Sequence, residues 1–303
     1  MNEFDGQLSA LVSNSPVQRL DNPFSESVPI QLLLKRDDLL HPLVSGNKWR
    51  KLKYNLLAAH EQGQNTLLTF GGAYSNHLYA TAAAGRALDF RTIGIVRGDE
   101  LAERPLNETL AFCQACGMHL HFVSRDEYRR KDTPDFLAEL TTQFGSCYVL
   151  PEGGTNELAI RGTAEIMPEL MAQLGYLPNY VCCPVGTGGT VAGLAQSAPE
   201  ETTVLGFMAL KIPAADGLNG WTQMVDYHFG GYAKTKPALL DFIRAFEYKN
   251  RVLLEQIYTG KMLYGIYDLA RQGYFSENAT VVAVHTGGLQ GRSNELDMDL
   301  FSS

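Results

Sequence analysis

The sequence contains no unbroken apolar run near the roughly 18 residues that a membrane-spanning helix needs. It also lacks an excess of basic residues, because 25 lysines and arginines stand against 33 aspartates and glutamates, for a formal net charge of −8. Nucleic acids and anionic membranes both reward positive surface charge. These absences argue against nucleic-acid and membrane partners, and a small molecule is the expected ligand.

Cysteine is scarce as well, since the chain has five, an odd number that does not fit a complete set of disulfides. The first residues, MNEFDGQLSALVSNSP, carry acidic side chains where a secretory signal carries basic ones. We therefore expect reduced thiols and a cytoplasmic location.

What the chain does have is an alternation of short apolar segments with helical ones, in a length and composition typical of one large or two modest globular domains. The apolar segments are NTLLTF, RTIGIVRG, HLHFVS, SCYVLPEGG, YVCCPVG, TTVLGFMAL and ATVVAVHTGG. Segments with helical periodicity, such as SNHLYATAAAGRAL and NELAIRGTAEIMPELMAQLG, lie between them. This order predicts an α/β protein with parallel sheets, in two units, and ligands at the carboxyl ends of the strands.

Three glycine-rich loops follow apolar segments: FGGAYSNH, VGTGGTVAG and HTGGLQG. Glycines let backbone N–H groups approach a ligand, and a helix N-terminus beyond them favours an anion, so Gly186 to Thr190 is the best candidate for a phosphate site. The loop lacks the GK[ST] ending of a Walker loop, and Val191 takes the third glycine position of the dinucleotide fingerprint. Two alternative interpretations of this loop stay possible. It is a tight turn that binds no ligand, or it is the dinucleotide site of a nicotinamide-dependent oxidoreductase.

Lys48, in SGNKWRK, is a second candidate functional residue. A lysine that reacts with a carbonyl cofactor needs an accessible amine with a lowered pKa, and a single phosphate site suits pyridoxal 5′-phosphate. The alternative is that Lys48, with Arg50, Lys51 and Lys53, belongs to a solvated helix face.

The segments SGNKWRK, GGAYSNH, VGTGGTVAGL, QIYTGK and VHTGG occur in an order and at spacings that resemble pyridoxal-phosphate enzymes of the tryptophan synthase β-like fold, fold type II. Within that fold they resemble the group of 1-aminocyclopropane-1-carboxylate deaminase and D-cysteine desulfhydrase. The match covers about residues 30 to 291. The resemblance implies two open, twisted, mostly parallel sheets with flanking helices, pyridoxal 5′-phosphate as cofactor and a homodimer. It also implies a smaller α/β domain at 50–155, inserted in a larger one made of 1–49 and 156–303.

The resemblance also implies roles for individual residues. Lys48 matches the lysine that holds the cofactor covalently and later acts as a base. Asn76 would contact the cofactor ring hydroxyl, and the residues expected to hold the substrate carboxylate are Ser75, Asn76 and His77. The phosphate would be bound by Gly186, Thr187, Gly188, Gly189 and Thr190.

Two tyrosines complete the expected catalytic residues. Tyr258, in YTGK, matches the active-site tyrosine, and Tyr232 lies where the family has a second one. Thr286, in HTGG, is expected to contact the cofactor. Ser75 is expected to share in catalysis.

Thr259 distinguishes between the two reactions of the family. The cyclopropane-opening branch has a glutamate at this position, which supports the ring nitrogen, whereas the desulfhydrase branch has threonines here and at the position of Thr286. A neutral hydroxyl makes a weaker electron sink, which is enough for β-elimination because the electrons depart with the leaving group. We therefore expect a D-cysteine desulfhydrase-like enzyme acting on a small amino acid.

Three other functions stay open: 1-aminocyclopropane-1-carboxylate deaminase, a nicotinamide-dependent oxidoreductase, and a binding protein that has lost turnover. Tyr74 and Trp49 differ from the family pattern, which predicts a substrate pocket of altered shape.

No metal site is expected. Cys113 and Cys116 have a CxxC spacing without a second pair, and a helical pattern around them favours burial. Cys182 and Cys183 lie in an apolar strand. His119 and His121 alternate along a strand and so share a face, but no third ligand accompanies them.

Overall fold

The computed structural model describes residues 3–23, 26–211 and 220–296. These residues form two compact units. The small unit takes its residues from 1–13 and 41–162, and the large unit takes its residues from 14–40 and 163–303. The bounds of the two domains predicted from the sequence stay a prediction.

The small unit is built on a four-stranded parallel sheet of order β5-β4-β3-β6. Its strands are β3 (Thr66–Gly71), β4 (Arg91–Arg97), β5 (His119–Val123) and β6 (Tyr148–Leu150). Its helices are α1 (Glu3–Ala10), α2 (Asn47–Glu61), α3 (Asn76–Leu88), α4 (Glu108–Ala115), α5 (Arg125–Arg129), α6 (Pro134–Phe144) and most of α7 (Glu157–Ala164). Apolar clusters cover both faces of the sheet, around Phe70 and Phe136 on one and around Leu78 and Leu110 on the other, which explains why β3 and β4 are apolar throughout.

The large unit contains a six-stranded sheet of order β1-β2-β10-β7-β8-β9. Its strands are β1 (Val17–Arg19), β2 (Ile30–Lys35), β7 (Tyr180–Val185), β8 (Thr203–Met208), β9 (Thr222–Met224) and β10 (Ala279–Val284). Its helices are α8 (Ile166–Leu174), α9 (Gly189–Ser197), α10 (Pro237–Asn250) and α11 (Thr259–Arg271). The edge strand β1 pairs antiparallel, and the other neighbours are parallel. Strand β10, buried along its whole length, pairs with β2 in the register Ala279 to Ile30.

The predicted α/β class with two mostly parallel sheets is confirmed. One predicted helix differs: NELAIRGTAEIMPELMAQLG forms two helices, α7 and α8, that meet at Glu165. Pro168 lacks an N–H to donate to the carbonyl four residues earlier, so the helical hydrogen bonding is interrupted there, whereas a proline in a first helical turn is tolerated. None of the helices in the described ranges has both the length and the apolar character needed to cross a membrane.

Candidate active site

Lys48 is the second residue of α2 in the small unit. Gly46, just before the helix, has φ +63°, a conformation that glycine adopts without strain. The Lys48 side chain is partly buried, and burial lowers the pKa of its amine to about 8. A larger fraction of this amine than of an ordinary lysine is therefore uncharged and nucleophilic near neutral pH. The next residue, Trp49, is buried, and its ring stacks on that of His41 with 6.4 Å between centroids.

The cations after Lys48 do not form a solvated face. Arg50 and Lys51 are each 2% exposed. The Nζ of Lys51 donates hydrogen bonds of 2.9 Å to the carbonyl of Gly153 and to the hydroxyl of Thr155. The alternative of a solvated helix face is therefore wrong for Arg50 and Lys51, and the charge of Lys51 can lie inside the protein because groups distant in sequence accept its hydrogen bonds.

Ser75 and Asn76 begin helix α3, in the loop that follows β3. The hydroxyl of Ser75 caps this helix by accepting a 3.2 Å hydrogen bond from the N–H of Leu78, and the N–H of Ser75 donates to the carbonyl of Gly72 at 3.0 Å. The turn is tight, since a Cβ on Gly71 would lie 2.6 Å from the Ser75 hydroxyl. Ser75 and Asn76 therefore lie at a helix N-terminus, where partial positive charge favours a carboxylate.

His77 is an unusual buried group, with 1% exposure. Neither of its ring nitrogens has a hydrogen-bond partner among the described residues. Burial, and then the positive charges of Lys48 and Lys51, hold the pKa of His77 well below its ordinary value. The imidazole is therefore neutral. A buried polar group without a partner costs about 1–3 kcal/mol, and such groups are characteristic of sites where a ligand supplies the missing hydrogen bonds.

The predicted phosphate loop lies in the large unit, between β7 and α9. Gly188 precedes α9 with φ +85°, and Gly189 and Thr190 form the first turn of the helix. The hydroxyl of Thr163 donates a 3.1 Å hydrogen bond to the carbonyl of Gly189 and so fixes the turn. The first N–H groups of a helix have no partner within it, so this loop presents amide donors suited to an anion.

Tyr258 immediately precedes α11 and lies against the same loop. A Cβ on Gly186 would be 3.3 Å from Cε1 and 3.4 Å from the hydroxyl of Tyr258, so a larger residue at this position would press on the ring. The ring of Tyr232 meets that of Tyr258 edge-on, with 6.1 Å between centroids. Burial raises the pKa of the Tyr258 phenol strongly, with further contributions from Tyr232 and Glu255. Tyr258 therefore keeps its proton at neutral pH and can donate it.

The sequence did not identify Glu255, a buried carboxylate that holds the start of α11. Glu255 is 1% exposed and accepts hydrogen bonds from the N–H groups of Ile257, Tyr258 and Thr259, at 2.6 to 3.0 Å. It also accepts a 3.0 Å hydrogen bond from the Thr259 hydroxyl. Burial raises the pKa of this carboxyl, although the hydrogen bonds oppose the shift. Glu255 therefore fixes the backbone of Tyr258 and takes the Thr259 hydroxyl as a donor.

Lys261 is a second buried charge that the sequence did not identify. It is 2% exposed, and its Nζ donates hydrogen bonds of 2.9 Å to the carbonyls of His228 and Gly231. Burial lowers the pKa of Lys261 to about 8, with a smaller opposing contribution from Glu255. Glu255 and Lys261 flank Tyr258 in the motif LLEQIYTGK, but the motif does not show that they are buried.

Thr286 follows β10 and is 8% exposed. The preceding residue, His285, orders this turn through both ring nitrogens. Its Nδ1 accepts a 3.2 Å hydrogen bond from the N–H of Gly287, and its Nε2 lies 2.8 Å from the carbonyl of Leu253. Because Nδ1 accepts, Nε2 carries the proton and donates to Leu253.

The residues set aside as structural occupy ordinary positions. Cys113, Cys182 and Cys183 are buried, as predicted, and all five cysteines are unpaired. His119 and His121 share a face, also as predicted, since both rings contact Phe144. Within residues 3–23, 26–211 and 220–296, no group of three or more histidine, cysteine or acidic side chains could hold a metal ion.

Lys48, Ser75, Asn76 and His77 thus belong to the small unit, and the loop 186–190, Tyr232, Tyr258 and Thr286 to the large one. The family model for "Pyridoxal-phosphate dependent enzyme" matches residues 8–287. The chain is 30% identical to the mitochondrial bifunctional D-cysteine desulfhydrase/1-aminocyclopropane-1-carboxylate deaminase of Arabidopsis thaliana, covering 88% of this chain and 74% of that one. It is 27% identical to the D-cysteine desulfhydrase of Serratia proteamaculans, over 93% of each.

Among solved structures, a crystal structure of a 1-aminocyclopropane-1-carboxylate deaminase homologue superposes with a TM-score of 0.81, at 26% identity and over 98% of each chain. The similarity in sequence and the similarity in fold therefore point to the same group of proteins.

Proposed function

This chain belongs to the family of pyridoxal-phosphate dependent enzymes, and from that premise we propose that it is a lyase that eliminates the β-substituent of a small amino acid. The products would be a 2-oxo acid, ammonia and, from cysteine, sulfide, as the name D-cysteine desulfhydrase implies for relatives. The observation that carries the proposal is Lys48, a partly buried amine with a pKa of about 8 beside the neutral, unpartnered His77.

The residues present fit pyridoxal phosphate. His77 has two buried nitrogens with free hydrogen-bonding capacity, and the loop 186–190 has a glycine at φ +85° and leads into the N-terminus of α9, where an anion is favoured. The amine of Lys48 is the nucleophile that an aldehyde cofactor requires. We propose that Lys48 holds the cofactor covalently, Asn76 contacts its ring, Gly186 to Thr190 hold its phosphate, and Thr286 contacts it from β10.

When bound, pyridoxal phosphate supplies an electron-withdrawing ring that makes the α-proton of an attached amino acid acidic. The start of α3, with Ser75, Asn76 and His77, would hold the substrate carboxylate. The free amine of Lys48 would then take the α-proton, for which a pKa of about 8 is well matched. The phenol of Tyr258, protonated at neutral pH, would donate a proton to the departing group, with Tyr232 fixing its orientation.

Thr259 supports elimination over ring opening. Its hydroxyl donates to Glu255, so this position carries a neutral group that is already engaged within the protein. A poor leaving carbon needs a stronger electron sink than a thiolate does. The oxidoreductase alternative is not supported, because the family match accounts for the glycine loop.

One experiment tests cofactor attachment and reaction separately. Borohydride reduction of the purified holoenzyme, followed by peptide mapping, should place the pyridoxyl label on Lys48, and Lys48→Ala should carry no label. Assays of 2-oxo acid and ammonia with D-cysteine, L-cysteine, other β-substituted amino acids and 1-aminocyclopropane-1-carboxylate then define the reaction. Production of 2-oxobutanoate from the cyclopropane substrate alone would replace elimination by ring opening. Label on Lys48 with no turnover of any amino acid would indicate a binding protein.

We further propose that the protein is a cytoplasmic homodimer. Five unpaired cysteines support a reducing compartment, and the assembly rests on the resemblance described above. Light scattering of the purified protein, which should give about twice the mass of 33.4 kDa, tests the dimer.

A further inference from the structure

A cavity of about 620 Å³ opens at one edge of the small unit's sheet. Its walls come from the loops that follow all four strands: Gly72 to Tyr74 after β3, Arg97 and Leu101 at the end of β4, Tyr128 after β5, and Glu152 after β6. The carboxyl ends of parallel strands are where α/β proteins bind ligands, and this volume is in the range of small-molecule pockets. None of the roles assigned above uses the cavity.

The cavity adjoins the expected carboxylate site. Gly72, Ala73 and Tyr74 line it and lead directly to Ser75, whose N–H donates to the carbonyl of Gly72. On the other side of the same glycine, a Cβ on Gly72 would lie 3.6 Å from a terminal nitrogen of the Arg97 guanidinium. Arg97 and Ser75 are therefore both neighbours of Gly72.

The cavity has a positive charge excess. Four cations and two carboxylates line it: Arg97, Arg125, Arg129, Lys131, Glu100 and Glu152. The two carboxylates are engaged, since Glu100 pairs with Arg125 at 2.5 Å and Glu152 pairs with Lys131 at 3.5 Å. Glu152 also accepts a 2.9 Å hydrogen bond from the hydroxyl of Tyr128.

Arg97 differs from the other three cations. Arg129 pairs with Asp126, and Arg125 and Lys131 have the partners just named. Within the part of the chain that the structure describes, Arg97 has no carboxylate at ion-pair distance. Its guanidinium lies 5.7 Å from the centroid of the buried Tyr128 ring, a contact that orients it without neutralising it. A guanidinium so placed is suited to a carboxylate ligand.

We propose that this cavity is the side-chain subsite of the amino-acid substrate, and that it selects a side chain ending in a carboxylate, which pairs with Arg97. The exposed ring of Tyr74 forms the apolar wall between the two ends of the substrate. The inference rests on the proposed function and names its substrate class: β-substituted alanines whose leaving group carries a negative charge.

An isosteric pair of substrates tests this inference. S-carboxymethylcysteine and S-carbamoylmethylcysteine differ only in that a carboxylate is replaced by a neutral amide. Elimination breaks the C–S bond of either, the electron pair leaves with sulfur as a thiolate, and water converts the remainder to pyruvate and ammonia. Both enantiomers of each compound are assayed with the holoenzyme for pyruvate. The wild type should favour the carboxylate about fivefold to tenfold in kcat/KM, and added salt should reduce this ratio.

Arg97→Gln should bring the ratio close to one, chiefly by raising KM for the carboxylate, while kcat/KM for the amide stays within about twofold. Arg97→Lys should keep part of the preference. The matched control is Arg91→Gln, which removes an exposed cation from the opposite end of β4, about 20 Å away, and should leave the ratio unchanged.

These measurements distinguish an error in the proposed subsite from an error in the proposed function. Turnover of both compounds with equal kcat/KM, or an equal loss for both in Arg97→Gln, would overturn the subsite and leave the proposed function in place. If neither compound turns over, calorimetric binding to the wild-type and Arg97→Gln holoenzymes decides. A carboxylate preference that depends on Arg97 would support the subsite without the reaction, and equal binding would overturn it.

Discussion

The ammonium of Lys261 donates a 2.9 Å hydrogen bond to the carbonyl of Gly231, the residue immediately before Tyr232. A second bond of equal length, to His228, closes the same loop. Phe229 in this loop has a φ of +55°, a left-handed conformation that a residue other than glycine rarely adopts without support. The lysine of the YTGK motif thereby fixes the tyrosine that faces Tyr258.

Lys261→Met should lower kcat about tenfold with a smaller change in KM, because Tyr232 loses its fixed position while substrate contacts remain. It should also lower the free energy of unfolding by about 1–3 kcal/mol, since two carbonyls lose a charged donor. Steady-state kinetics and thermal unfolding measure the two effects. Lys249→Met, on an exposed position of α10, is the control and should change neither. Unaltered kinetics in Lys261→Met would show that the hydrogen bonds of Lys261 do not fix Tyr232 for catalysis.

Gly186→Ala should disable Tyr258 without a large loss of stability. The added Cβ would lie 3.3 Å from the phenol ring, which must move by a few tenths of an ångström. We expect activity to fall about tenfold, with a stability cost of about 1–2 kcal/mol. In a Tyr258→Ala background the same substitution should have little further effect on activity. Equal losses in both backgrounds would mean that the alanine acts on the loop and not on the tyrosine.

His77→Leu should make the apoprotein more stable and the enzyme less active. The substitution removes two buried nitrogens without partners, a gain of about 1–3 kcal/mol, while the ligand loses the groups that we assign to it. Calorimetric unfolding of the apoprotein and pyruvate assays measure the two effects. A stability loss together with intact activity would contradict a ligand-binding role.

The pH dependence of stability provides an independent check on His77. The folded protein holds the pKa of His77 well below the ordinary value of 6.5, so below pH 6.5 the unfolded chain binds a proton that the folded chain does not. His77 therefore leaves the free energy of unfolding unaffected above pH 6.5 and lowers it as the pH falls below 6.5. The apoprotein should lose stability faster between pH 6.5 and 5 than the His77→Leu variant does.

Thr259→Glu should not convert this protein into a cyclopropane-opening enzyme. The new carboxylate would lie beside Glu255, which is buried and already hydrogen-bonded to this position. A second buried charge without compensation should cost about 3–5 kcal/mol and lower the unfolding temperature. Adding Glu255→Gln to the Thr259→Glu variant should restore much of the lost stability. A stable single variant with ring-opening activity would contradict this account.

The sequence predicted the features that depend on local patterns. Apolar runs identified seven strands, and the loop after β3 was expected to begin a helix at Ser75 and Asn76, as it does. Tyr232 and Tyr258, both expected to be catalytic residues, contact each other, although nothing in the 25 residues between them indicates it. Their selection as catalytic residues came from the resemblance alone.

The sequence could not predict which charges are buried. Lys51 appeared to be one cation among several on a helix, yet its partners, Gly153 and Thr155, are a hundred residues away. The same holds for the other two buried charges. Glu255 is buried against the start of α11, and Lys261 is buried against the distant loop 228–231. Arg97 shows the reverse case, because this charge at the end of a strand has no carboxylate at ion-pair distance among the described residues.

The order of the strands has a consequence for synthesis on the ribosome. Strand β2 emerges early, but its parallel partner β10 is among the last segments to be made. The sheet of the small unit is complete by Leu150, when β2 still has only the short antiparallel strand β1 beside it. One side of β2 therefore remains an unpaired edge during most of translation, and until β10 is made this edge is open to pairing with another chain.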